Sequence, residues 1–173
     1  MKKIKYLVII IMFLLSFVIH FIYTLYPNTI TSIFFPVNES IWEHMKIIST
    51  STLISTLIEC YIYKKKHIFY NNLLISTPII IILGIIFYLL IYSIISIFTP
   101  HSLIISLILL FITYIIMQYI SYKILNMYEF NYQRIIGIIL IIFIYISFSY
   151  LTYYPPHTNL FIDTITNTYG INN

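Results

Sequence analysis

Ten side chains in this 173-residue chain can do acid–base or metal chemistry: five histidines and five carboxylates. Six of them fall in three short stretches. Pro36-Val37-Asn38-Glu39-Ser40-Ile41-Trp42-Glu43-His44-Met45-Lys46 holds Glu39, Glu43 and His44. Thr99-Pro100-His101-Ser102 holds His101, and Tyr153 to Asp163 holds His157 and Asp163. Catalytic zinc takes three protein ligands, often histidine with Glu or Asp, and leaves one position for water. On that chemistry His44, His101 and His157 are candidate ligands, and Asp163 or Glu39 completes the shell. Glu43 and Glu39 are the candidate catalytic carboxylates, with Glu43 as general base. Zinc is the cofactor this reading expects. There is no His-Glu-x-x-His motif, and adjacent Glu43 and His44 leave a helix in different directions, so the spacing does not by itself diagnose a metal enzyme.

Simpler physics accounts for part of the first stretch. Asn38 suits an N-cap, with Val37 and Trp42 forming a hydrophobic staple; Ser40-x-x-Glu43 reads equally as a capping box. An acid in a first helical turn suits the helix dipole. Trp42 suits a membrane interface, and Glu43 with Lys46 is an i,i+3 ion pair. Capping does not require both acids, nor His44. His101 reads as a turn histidine before a Ser102 cap. The prolines at 155 and 156 stop a helix. Leu160, Phe161, Ile162 and Ile165 would be wasted on a solvated tail, so that tail is expected to pack back on the molecule.

The elements that must position these groups are apolar helices. The chain is 61% hydrophobic, 18% aromatic and 8% charged, whereas a soluble domain carries about 25% charged residues. Too few charges exist to cover a water-facing surface. A soluble domain, a disordered chain and a nucleic-acid binder are excluded, and a single cysteine, Cys60, excludes a disulfide scaffold. Alanine is absent and about a quarter of the residues are isoleucine, a bias expected of an AT-rich genome. A membrane-spanning helix needs about 20 mostly apolar residues. Five segments qualify, at about 6–26, 40–63, 73–98, 102–122 and 135–154, followed by a tail at 155–173. The expected fold is an all-α, polytopic membrane helix bundle forming one domain over 1–173, with the lipid bilayer as its partner. The first segment starts with a basic cluster but lacks a small-x-small cleavage site, so it reads as an uncleaved helix and not a signal peptide.

Basic residues set the orientation. With the N-terminus in the cytoplasm, Lys2, Lys3, Lys5, Lys64, Lys65, Lys66, Lys123 and Arg134 all lie inside, and only Lys46 lies outside. The expectation is N-in and C-out in the bacterial cytoplasmic membrane. All three chemistry-bearing stretches then meet the extracytoplasmic face, while His67, Glu59 and Glu129 stay on the inner side. His20 lies in the first helix, about 9 Å below its outer end at 1.5 Å per residue. Ser49, Thr52 and Thr56, with His44, Ser51, Ser55 and Glu59 beside them, give the second helix a polar face, which marks it as the central helix; Ser and Thr commonly glue membrane helices together.

The run Pro36 to Lys46, with the ending Tyr154-Pro155-Pro156-His157-x-x-Leu160-Phe161-x-Asp163 and Tyr169-Gly170-Ile171, resembles a family of small integral membrane proteins of Firmicutes, a domain of unknown function. The resemblance covers essentially the whole chain, although Met45 stands where the pattern has leucine. It implies membrane location and a multi-spanning fold, and no activity. Two classes of function follow from the residues. One is a zinc-dependent membrane hydrolase, with an analogy to the alkaline ceramidases that the motifs do not carry further. The other is a binding, accessory or transport protein whose outer cluster is a polar cap or ligand site; five helices without inverted repeats make a poor transporter.

Overall fold

The computed structural model describes residues 1–99 and 102–171. Among the described residues there are six helices: α1 (Lys2–Leu25), α2 (Thr29–Phe34), α3 (Ile41–Lys65), α4 (Leu73–Phe98), α5 (Leu103–Leu125) and α6 (Gln133–Tyr153). Five coincide with the apolar segments read from the sequence. The sixth, α2, is a short helix that apolar length could not reveal. Its signal was local: Asn28 accepts from the Thr31 N–H at 3.0 Å, and Thr31 Oγ1 accepts from the Asn28 N–H at 3.1 Å, a reciprocal cap.

Among the described residues four helices, α1, α4, α5 and α6, are long and apolar enough to cross a membrane. Their outward residues are apolar, among them Ile82, Ile86 and Leu90 on α4 and Ile135, Ile139 and Ile142 on α6. The interior is more polar than the surface. Ser49, Thr50, Ser51, Thr52, Ser55 and Thr56 of α3 are all buried. Most close their hydroxyls on a carbonyl of the preceding turn, as Ser55 does on Ser51 O at 2.6 Å. Others cross between helices: Tyr114 of α5 meets both Ser16 of α1 (2.6 Å) and Ser51 of α3 (2.8 Å), and Thr56 meets Thr77 of α4 (3.1 Å). An apolar outside around hydrogen-bonded polar contacts is the arrangement that a hydrocarbon solvent favours.

α3 is the inner helix, packed on α1 and α4; α4 also packs on α5 and α6, and α1 on α5. At the end holding the N-terminus, Lys5 pairs with Glu59 at 2.6 Å and donates to Ser121 at 2.7 Å, while Tyr63 donates to Glu59 at 2.5 Å. Asn72, in the left-handed region at φ 57°, ties the α3–α4 link to the α5–α6 link: its amide donates to Tyr128 O at 2.8 Å and its carbonyl accepts from the Phe130 N–H at 2.8 Å. At the opposite end the tail packs back. Phe161 is buried and lies against Trp42 with ring centroids 5.0 Å apart, the Trp42 backbone N–H donates to Leu160 O at 3.0 Å, and the Asn38 side-chain amide donates to Gly170 O at 2.9 Å. Gly170 sits at φ +67°, a conformation that glycine adopts without strain. Ile165 departs from the expectation and stays 74% exposed.

Candidate functional site

The α3 N-terminus organises this end of the bundle. Ser40 is the N-cap, its hydroxyl accepting from the Glu43 N–H at 3.2 Å, and Asn38 supports it by accepting from the Ser40 N–H at 2.9 Å. The Glu43 carboxylate does not complete a capping box. One oxygen takes the Val37 N–H at 3.0 Å and Lys46 Nζ at 2.7 Å, and the other takes the Thr152 hydroxyl at 2.7 Å. Lys46 is fully enclosed and also donates to Ser32 O and Thr152 Oγ1, each at 2.7 Å. Both charges are therefore paired and hydrogen-bonded, the condition for burying them.

One turn on, His44 faces a different set of groups. Its Nε2 lies 3.3 Å from Nε2 of His20 on α1 and 3.4 Å from Glu39 Oε2, and the His20–Glu39 separation is 3.6 Å. Among the described residues these three form the group of His, Cys, Asp or Glu side chains whose ligand atoms all lie within 4.8 Å of one another. His44 Nδ1 is 2.7 Å from the Ser40 carbonyl. A carbonyl only accepts, so that nitrogen carries a hydrogen and the ring is held with Nε2 toward His20 and Glu39. The two imidazoles, His20 first and His44 second, hold the Glu39 carboxyl well below the usual carboxylate range. His20 Nδ1 is buried without a partner among the described residues.

The three groups line a cavity of about 480 Å³, whose walls include Phe17, Ile47, Tyr88, Leu103, Leu107 and Leu110. This lies within the roughly 300–1,000 Å³ of ordinary ligand sites, which combine apolar walls with a few convergent polar groups. Thr164 of the tail also lines it, and its hydroxyl reaches Glu39 O at 3.4 Å.

Of the residues singled out in the sequence, Glu39 and His44 thus meet. Glu43 is committed to Lys46 and Thr152. Asp163 is buried in a turn of the tail, accepting from the Ile165 N–H at 2.9 Å and the Thr166 hydroxyl at 2.7 Å. His157 is exposed and stacks on Tyr169 at 4.6 Å. His101 lies outside the described residues. The added member is His20, whose signal was an imidazole within an apolar helix, a feature that marks function in membranes.

Residues 1–171 match the family model of DUF6512, a family of unknown function. The chain belongs to this family. Searches of curated proteins and of solved structures found no match.

Proposed function

We propose that the protein is a multi-pass protein of the bacterial cytoplasmic membrane, with five spans and its N-terminus inside, that binds a single-chain amphiphile at its extracytoplasmic end. The polar head would lie at His20, Glu39 and His44 and the chain in the apolar cavity. The observation that carries this reading is the cavity itself, which joins a polar rim to apolar walls.

α3 serves as the fifth span although Ser, Thr and charged residues lower its hydropathy. It is 25 residues long, about 37 Å at 1.5 Å per residue, and runs beside α1 from the Lys5–Glu59 pair to the His20–His44 contact. The orientation is supported by Lys2, Lys3, Lys64, Lys65, Lys66, Lys123 and Arg134, which share one end. Lys46, the exception, is sealed inside against Glu43 and offers no charge to the membrane surface.

The amphiphile reading is tested by titrating the purified full-length protein with a dansyl-labelled fatty acyl probe. Leu110→Trp fills the apolar part of the cavity and leaves the polar rim intact. It should weaken binding about tenfold, a loss equivalent to roughly 1.4 kcal/mol. Equal binding by both proteins, with both folded, would defeat the reading.

A further inference from the structure

We propose that His20 Nε2, His44 Nε2 and Glu39 Oε2 hold one divalent transition-metal ion of the zinc class. The three ligand atoms form a triangle with sides of 3.3, 3.4 and 3.6 Å. A point at the centre of that triangle lies about 2.0 Å from each corner, the length of zinc bonds to imidazole nitrogen and carboxylate oxygen. The ion would therefore fit with little movement of the side chains.

A second observation concerns the hydrogen on His44. Metal-ligating histidines almost always donate their other ring N–H to a carbonyl or carboxylate, which fixes the tautomer and raises the basicity of the ligating nitrogen. His44 Nδ1 makes this contact with Ser40 O at 2.7 Å. The Ser40 carbonyl is held in turn by the helix it begins, through the His44 N–H at 3.2 Å. The ring is thus pinned with Nε2, the atom that binds a metal once it carries no proton, facing the other two ligand atoms.

Charge and chemistry select the ion. Two neutral imidazoles and one carboxylate leave a +1 site around a divalent cation, with no thiolate to favour softer metals. Three protein ligands leave a coordination position for water or an anionic oxygen, the pattern of open zinc sites. All three ligand residues line the cavity. A metal there would take a carboxylate or phosphate oxygen from a molecule in that space. The site draws its ligands from α1, from the loop before α3 and from the first turn of α3, so metal would also clamp these elements together.

The test uses purified full-length protein in detergent, stripped with a chelator and titrated calorimetrically with Zn²⁺ alone. Wild type should take up one zinc per chain. His20→Ala, His44→Ala and Glu39→Gln should each weaken binding by about tenfold or more, the scale on which metal sites respond to lost support. His157→Ala, which removes the ring stacked on Tyr169, should bind as wild type does. Glu39→Gln keeps the side-chain size and guards against misfolding as the cause, and a thermal melt in the presence of chelator confirms that each variant is folded. Replacing Zn²⁺ by Co²⁺ gives a visible spectrum that reports imidazole ligation in wild type and changes on loss of either histidine. Zinc binding equally weak in wild type and Glu39→Gln, or equal losses for His157→Ala and His44→Ala, would overturn the proposal. Acyl-probe binding by the stripped protein would count for the cavity reading without rescuing the metal, so the two proposals fail separately.

Discussion

Glu39 is the residue on which pH should act at the candidate site. Its carboxyl is held low by His20 and His44, so ionised Glu39 adds to stability above the ordinary glutamate value of about 4.3, and this contribution fades as pH falls from there toward the depressed folded value. With chelator present, wild type should melt above Glu39→Gln at pH 7, and the gap should narrow as the pH is taken below about 4. A gap that widens in acid would show that the carboxylate is not stabilised in the folded state. The sequence pointed to Glu39 and His44 because acids and a histidine beyond the needs of capping stood together. It marked His20 as an imidazole in an apolar helix but did not join it to them, because α1 and α3 are brought side by side by packing that neither sequence stretch encodes alone. It offered Glu43 both as a base and as the i,i+3 partner of Lys46; the ion pair is present at 2.7 Å, and the Thr152 hydroxyl, which the sequence did not indicate, engages the other oxygen.

Helix α4 shows how elements approach one another. Pro78 has no N–H to give the Leu74 carbonyl, and this is the carbonyl that Gly137 of α6 packs against. A Cβ at Gly137 would come within 2.5 Å of Leu74 O and 2.9 Å of Ile75 N. Backbone cannot yield as a side chain can, so Gly137→Ala must push α6 away from α4. At Gly84 an added Cβ would meet the thioether of Met117, and Met side chains are flexible. Gly137→Ala should cost about 1–3 kcal/mol, the range for overpacked cores, and Gly84→Ala clearly less, by denaturant unfolding in detergent. Equal costs would show that the α4–α6 approach is not limited by backbone contact. The helices themselves were legible as long apolar runs ended by Pro27, Pro155 and the lysines at 64–66. The close crossing was not, because Pro78 and Gly137 lie on helices whose pairing depends on the whole bundle.

At the scale of the molecule, the apolar outside and polar inside follow from composition: with 8% charged residues, the polar groups available must be spent inward or at the ends. The proposed orientation places a reporter fused after Asn173 outside the cytoplasm and one inserted at Lys65 inside it, and a cytoplasmic signal from the first would reverse the assignment. The depth of α3 within the bundle also bears on how the chain is made. α3 carries Glu43, Lys46 and Glu59, a burden that isolated hydrocarbon would refuse. Yet the ion-pair partner of Glu59 is Lys5, the ion-pair partner of Glu43 is Lys46 itself, and Lys46 also binds Ser32 O. All of these are synthesised before α3 is finished; Thr152 alone comes later. In the proposed five-span topology the order of translation therefore supplies the ion-pair partners of Glu43, Lys46 and Glu59 by the time α3 is complete, and a permuted gene with α1 placed last would insert Glu59 without Lys5.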